Sequence, residues 1–143
     1  PGIVGTGTKY GFSGIEQGPA LDAAVIMGGK AIAPLRISFG DRRTRHYGIS
    51  HHSLTVLAEI VQNRVSVPLP VLSEDKNRII YDQMTAAGID KKHHLVEIQA
   101  AETLDLLEGQ QLNVTTMGRS LREEPEFFMS AGAAGILAAQ EVR

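Results

Sequence analysis

Apolar residues recur at helical spacing in several stretches of the chain. Between positions 51 and 63, one face carries Leu54, Leu57, Ile60 and Val61. Ser50 stands directly before this stretch, where helices favour a serine cap. The stretch 73–87 has an acidic first turn and is followed by Gly88, a residue typical of helix ends. The pattern predicts amphipathic helices at 19–27, 51–63, 73–87, 102–108 and 125–140.

Shorter apolar stretches separate these helices and predict strands. They lie at 31–39, 65–69, 95–98 and 112–116, and Ile3 and Val4 are interpreted as the end of an earlier strand. Prolines at 34, 68 and 70 favour edge positions for the first two of these stretches. Strands that alternate with helices are typical of a parallel sheet covered on both faces. We therefore expect an α/β fold with three layers and a mostly parallel sheet, Rossmann-like or flavodoxin-like.

The last predicted helix is rich in small residues, which let another backbone approach closely. They are Ala131, Gly132, Ala133, Ala134, Gly135, Ala138 and Ala139. We expect this helix to pack tightly against a sheet or another helix. The same face is a candidate subunit contact in a homo-oligomer.

Composition narrows the classes of protein that fit. The 143 residues are 43% hydrophobic and 21% charged, which suits a single domain over 1–143. A net charge of −2 does not suit a protein that coats nucleic acid. The absence of cysteine excludes disulfides and thiolate metal sites. No apolar run approaches the roughly 18–20 residues of a membrane span. We expect a cytoplasmic protein that binds neither nucleic acid nor membrane, and the abrupt start at Pro1 suggests a fragment of a longer chain.

The first candidate binding region is the glycine-rich loop 5–14, GTGTKYGFSG, which follows a predicted strand. Ligands of parallel sheets bind beyond the carboxyl ends of the strands. Successive backbone N–H groups of such a loop can surround an anion. Thr6 and Thr8 would donate hydrogen bonds, and Lys9 would add a positive charge. The spacing matches neither the dinucleotide fingerprint nor the P-loop, so a plain surface turn is the alternative interpretation.

The second candidate region is the stretch 41–53, where arginines and histidines are concentrated. Guanidinium groups bind phosphate and carboxylate, and imidazole transfers protons near neutral pH. We expect Arg42, Arg45 and Ser50 to bind an anionic ligand. The candidates for acid–base catalysis are His46, His51 and His52. The alternative is a set of solvated loop charges.

Metal binding is a competing interpretation of the same histidines. Adjacent side chains at a helix start are expected to point in different directions, which disfavours a shared ion for His51 and His52. The neighbouring arginines would also repel a cation. We therefore assign no metal ligands from the sequence. His93 and His94 follow two lysines, and we expect them in a solvated basic loop.

The third candidate region is the loop 115–120 after the predicted strand 112–116. In a parallel sheet this loop would emerge at the same edge as the other two. Thr116 and Arg119 would then join the binding site for an anion.

Three motifs give the chain a resemblance to a bacterial protein family of unknown function. They are GTGTKYGFSG within 2–18, RHYGISHHS within 41–53, and FFMSAGAAG within 116–135. The resemblance spans nearly the whole chain and implies that it corresponds to the C-terminal portion of longer members. The family implies no activity, substrate or cofactor.

The preferred hypothesis is a domain that binds a small phosphorylated or carboxylated metabolite through its glycine-rich and Arg/His loops. One alternative is an oligomerisation or scaffold domain without catalysis. A second alternative is a divalent-metal-dependent hydrolase. The sequence contains no complete catalytic motif, identifies no cofactor, and leaves open whether the protein is an enzyme.

Overall fold

The computed structural model describes residues 3–142, so Pro1, Gly2 and Arg143 lie outside the described part. The start of the first motif at Gly2 is therefore not covered. Within 3–142 the helices are α1 Gln17–Ile26, α2 His51–Thr55, α3 Glu74–Ala86, α4 Ile89–Lys92, α5 Glu102–Gly109 and α6 Pro125–Glu141. The strands are β1 Ile37–Ser38, β2 Gly48–Ile49, β3 Ser66–Pro70, β4 His94–Ile98, β5 Thr115–Thr116 and β6 Arg119–Ser120.

The predicted helices are present, with shifted ends. Helix α1 starts two residues earlier than expected, and α3 and α6 end within one residue of the predicted positions. The predicted helix 51–63 is split: α2 has five residues, and Val56–Ile60 continues as a π-helical turn. A π turn widens the helix by one residue and is often found beside functional sites.

Parallel pairing is confined, in the described residues, to one region. β3 and β4 pair in parallel from Ser66↔His94 to Pro70↔Ile98. On the other side of β3, Ile32 forms a parallel bridge with Ser66. The mixed α/β class is confirmed, whereas the three-layer Rossmann-like arrangement is not. The predicted strand 31–39 is regular only at β1, because Pro34 removes an amide donor in its middle.

β3 accommodates two prolines in a strand with neighbours on both sides. The amide of Ser66 donates to Ala31 O, and the amide of Ala33 donates to Ser66 O. Backbone N–H groups alternate between the two sides of a strand. At positions 68 and 70 the backbone nitrogen therefore faces the same side as that of Ser66, away from β4. The missing N–H groups of Pro68 and Pro70 therefore leave the pairing with β4 intact.

The predicted strand 112–116 forms a hairpin instead of entering a parallel sheet. β5 pairs antiparallel with β6, and Met117 and Gly118 form the turn with positive φ angles of 52° and 76°. Two such residues between short strands define the tight turn favoured in hairpins. β1 and β2 also pair antiparallel, with Ile37 opposite Ile49.

The small residues of helix α6 let it pack closely against other elements of the same chain. It packs against β3 and α5. Ala133 is fully buried, and a Cβ added at Gly132 would lie 1.9 Å from Oγ1 of Thr103 in α5. Ser130 donates to Leu35 O at 2.6 Å, which joins α6 to the segment before β1. The expected tight packing is confirmed. None of the helices in 3–142 has the length and apolar character needed to span a membrane.

Candidate functional site

One cavity of about 520 Å³ lies where the three candidate loops meet. The glycine-rich loop forms one wall, the Arg/His loop and the start of α2 form another, and the β5–β6 turn adds a third. The polar lining residues are Thr8, Arg36, Arg43, Arg45, His46, His51, His52, Thr115 and Thr116. The apolar ones include Phe12, Met117 and Phe127. The cavity is therefore basic and polar on several sides, with aromatic contacts.

Three histidines form a cluster in this cavity. His46 ends a 3₁₀ turn, and His51 and His52 begin α2. The ring centroid of His46 lies 5.0 Å from that of His51 and 5.4 Å from that of His52. The His51 and His52 rings are 4.0 Å apart. One ring nitrogen of each residue lies within 4.8 Å of the other two. The expectation that adjacent histidines diverge is wrong here.

Ser50 and Phe12 hold the cluster in place. Ser50 is completely buried, and its Oγ lies 2.9 Å from Nδ1 of His46. The same Oγ accepts from the backbone N–H of His52 at 3.4 Å. The ring of Phe12 stacks on His52 at 4.4 Å. Ser50 was predicted to bind the ligand, but it does not line the cavity and instead supports His46 from behind.

Arg36 fixes the hydrogen-bonding roles of His46. Its Nη1 lies 3.3 Å from Nδ1 of His46. A guanidinium can only donate, so Nδ1 accepts and the ring proton is assigned to Nε2. The Ser50 hydroxyl can donate to the same Nδ1 while it accepts from His52.

The cluster is electrically neutral near pH 7. Burial, followed by the charges of Arg43 and Arg36, lowers the pKa of His46 to about 4. Burial, followed by the nearby His51, lowers the pKa of His52 to about 4. Burial and the charges of Arg45 and Arg43 also lower the pKa of His51. Neutral imidazoles can donate, accept or ligate, so the cluster keeps several chemical roles open.

Asp41 anchors the arginines beside the cavity. Its carboxylate accepts from Nε and Nη2 of Arg43 at 3.0 and 2.7 Å. Arg36 and Arg119 each place an Nη2 at 3.9 Å from it. The hydrogen bonds from Arg43 hold the pKa of Asp41 well below its usual range. Asp41 thus neutralises part of the positive charge without entering the cavity lining.

Arg119 has a structural partner. Its Nε lies 2.7 Å from Oε1 of Glu124, a fully buried carboxylate. Ser38 donates to the same oxygen at 2.7 Å. Arg119 was predicted as a ligand-binding residue, but it does not line the cavity and joins the β5–β6 hairpin to the start of α6.

Three further predicted ligand residues lie outside the lining. Lys9 pairs with Glu59 at 2.8 Å. Thr6 places its hydroxyl 2.9 Å from that of Thr8, and Arg42 lies in a separate depression beside Phe39. Of the predicted ligand residues, the cavity brings together Thr8, Arg45 and Thr116, and it also contains all three predicted catalytic histidines.

The sequence reasoning missed several lining residues. Arg36 is the single charged residue in the apolar stretch 31–39, and that isolated charge was an available signal. Arg43 lies in the Arg/His stretch, where the sequence does not distinguish it from Arg42 and Arg45. Phe12, Met117 and Phe127 gave no signal. In a sequence, an aromatic or turn residue that lines a cavity cannot be distinguished from an ordinary core aromatic or turn residue.

His93 is a buried structural residue, so the expected solvated basic loop is wrong for it. Its side chain is 1% exposed, with Nε2 2.9 Å from Leu57 O, and its Nδ1 accepts from the Val65 N–H at 3.4 Å. Burial lowers the pKa of His93, and the charges of Lys92 and Arg64 act in the same direction.

A second cavity of about 530 Å³ lies between α1 and the segment before β1. Its lining is dominated by Ala20, Leu21, Ala24, Val56 and Leu57. It contains no cluster of charged or titratable groups among the described residues. Of these two cavities, the basic one contains the cluster of titratable groups.

The comparison with family models covers most of the chain. A model described as a protein of unknown function, DUF3866, matches residues 1–135. The chain belongs to the DUF3866 family. The resemblance to a family of unknown function is thereby confirmed, and the position of the chain within longer members stays a prediction. No curated protein and no solved structure matches this DUF3866 chain.

Proposed function

We propose that this DUF3866 domain binds a small anionic metabolite, phosphorylated or carboxylated, in the basic cavity. One observation carries the proposal: Arg36, Arg43 and Arg45 line the same cavity as the histidine cluster. The described lining residues include no aspartate or glutamate. A cavity that gathers cationic side chains and omits carboxylates attracts an anion.

The arginines differ in how far their charge is already compensated. Arg43 is paired bidentately with Asp41, so its charge is largely satisfied. Arg36 lies 3.9 Å from the same carboxylate, beyond hydrogen-bond distance. Arg45 lines the cavity, is exposed, and forms no ion pair within residues 3–142. Arg45 and Arg36 are therefore the groups with charge left to offer an anion.

Hydrogen-bond donors complete the proposed binding site. Thr8, Thr115 and Thr116 contribute hydroxyls. Because Arg36 Nη1 faces Nδ1 of His46, Nε2 of His46 is assigned as the ring donor. Charge-assisted hydrogen bonds from arginine to phosphate or carboxylate are about twice as strong as neutral ones. A volume of about 520 Å³ falls in the range of small-molecule sites, which is roughly 300–1,000 Å³.

Thermal unfolding against a panel of anions tests the proposal. The panel contains phosphate, sugar phosphates, nucleotides and small carboxylates, each with EDTA present. A ligand at about 100 times its Kd stabilises the folded state by about 2.7 kcal/mol. At about 3 °C per kcal/mol for a domain of this size, the melting temperature should rise by about 8 °C.

Two arginines of the same loop provide the matched variants. Arg45→Ala removes a lining residue and should abolish most of the shift. Arg42→Ala removes an exposed arginine outside the cavity and should preserve it. A panel without any shift, or equal shifts in both variants, would overturn the proposal. A flat panel would favour the oligomerisation alternative, which light scattering would then test.

A further inference from the structure

We propose that the histidine cluster is also a binding site for one divalent transition-metal ion. The ligands are one ring nitrogen each from His46, His51 and His52. This inference rests on the geometry of the cluster and does not depend on the proposed binding of an anionic metabolite. The ion belongs to the class that imidazole prefers, represented by zinc, cobalt, nickel and copper.

The nitrogen positions are close to those of a three-histidine site. Zinc–nitrogen bonds are about 2.0–2.1 Å long, so ligand nitrogens of a tetrahedral site lie about 3.4 Å apart. One nitrogen of each ring lies within 4.8 Å of the others. To form the site, the separations between these nitrogens would shorten by up to about 1.4 Å through rotations of the rings. The cluster therefore needs adjustment of its three side chains before it can hold an ion.

The cluster contains a buried ring nitrogen without a hydrogen bond among the described residues, and it belongs to His51. Its Nε2 is buried and has no hydrogen-bond partner within the described part of the chain. Buried polar atoms in folded proteins nearly always have a partner, so an orphaned nitrogen calls for an explanation. A metal ion shared with the two neighbouring rings supplies that partner.

The ligand types select the class of metal. All three candidate ligands are imidazoles, and the group contains no carboxylate. Magnesium and calcium require oxygen ligands, so they do not suit this cluster. Three protein ligands leave a fourth position open on the cavity side, as in catalytic zinc sites.

Ser50 supplies the outer support that metal-binding histidines require. Such a histidine donates its other ring N–H to a nearby acceptor. When Nε2 of His46 binds the metal, its proton must be carried on Nδ1, which can donate to Ser50 Oγ at 2.9 Å. The ring changes tautomer in this step, and no net proton is released.

Arg36 opposes this change. In the metal-free structure its Nη1 faces Nδ1 of His46 at 3.3 Å. Once Nδ1 carries the proton, two donors face each other, and the positive guanidinium also repels the ion. Arg36 must move aside when the metal binds. Its removal should therefore strengthen metal binding while it weakens anion binding.

Equilibrium dialysis with Zn²⁺ in a phosphate-free buffer tests the inference. The protein should bind one ion per chain, and Co²⁺ should develop the intense visible bands of a four-coordinate site. His51→Asn and His52→Asn should each weaken binding by more than about 100-fold, because loss of a ligand exceeds the 10–100-fold effect of losing outer support. The exposed His94, outside the cluster, provides the matched control, and His94→Asn should leave binding unchanged. Absence of stoichiometric binding, or equal binding in all three variants, would overturn the inference.

Arg36→Gln separates the two proposals. It should raise the affinity for Zn²⁺ by about tenfold, because the neighbouring positive charge is removed. The same variant should lose most of the anion-induced stabilisation measured with EDTA. Zinc binding with a flat anion panel refutes only the metabolite proposal, whereas an anion shift without zinc binding refutes only the metal site. Weaker zinc binding in a folded Arg36→Gln protein would overturn the inferred role of Arg36.

Discussion

Ser50 and Ser73 both stand at helix N-caps, yet only one of them accepts a capping hydrogen bond. Ser50 Oγ accepts from His52 N–H at 3.4 Å and also contacts His46 Nδ1 at 2.9 Å. Ser73 precedes α3 without a side-chain cap bond and is exposed. Ser50→Ala should therefore destabilise the protein more than Ser73→Ala does.

The expected magnitude follows from the two contacts of Ser50. The long capping bond is at the low end of measured caps, about 0.5 kcal/mol. The bond to the His46 ring contributes about 1 kcal/mol, in the middle of the range for buried hydrogen bonds. Ser50→Ala should thus cost about 1.5 kcal/mol and lower the melting temperature by about 4–5 °C. Ser73→Ala should change it by less than about 1 °C.

Scanning calorimetry of the wild type and both variants at pH 7.5 measures this difference. Ser73→Ala also removes a serine from an N-cap position. The difference between the two variants therefore isolates the contribution of the hydrogen bonds that Ser50 makes. Equal losses in the two variants would refute the reasoning, because the contacts of Ser50 would then contribute nothing beyond its position.

Two further predictions concern stability. Because burial lowers the pKa of His93 below the roughly 6.5 of the unfolded chain, its contribution is complete above pH 6.5 and is lost as the pH falls towards its folded pKa. Urea unfolding should therefore show the stability gap between wild type and His93→Gln shrinking from pH 7 to pH 5; a constant gap would contradict this. In α6, Gly132→Ala should destabilise by about 1–3 kcal/mol through its clash with Thr103. Gly135→Ala, which has open space, should stabilise by about 0.5–1 kcal/mol, and calorimetry that ranks the two in the opposite order would be the contrary result.

Helices were the part of the fold that the sequence predicted well. The acidic first turn and Gly88 delimit α3, and Pro125 opens α6, because caps and breakers act locally. The stretch 112–116 gave no sign that it would form a hairpin, because its two-residue turn is Met117-Gly118 and not one of the dipeptides typical of tight hairpins. The positive φ of Met117 is similarly invisible, since methionine rarely adopts it.

The candidate site was predicted at the level of loops and only partly at the level of side chains. The loops carrying Thr8, Arg45 and Thr116 do meet at one cavity. Which arginine faces that cavity depends on ion pairs that a sequence does not specify: Glu124 holds Arg119, and Glu59 holds Lys9. Composition identified the charged regions, and ion pairs with carboxylates elsewhere in the chain determined which charges stayed available.

The two prolines of β3 also limit how this protein can associate with itself. A strand from another molecule that approached beside Pro68 and Pro70 would present carbonyls to positions that have no amide hydrogen. Edge-to-edge sheet growth needs that row of donors, and proline is one of the devices by which natural sheets block it. The side of β3 that faces away from β4 is therefore protected against templated aggregation, even when local unfolding exposes it.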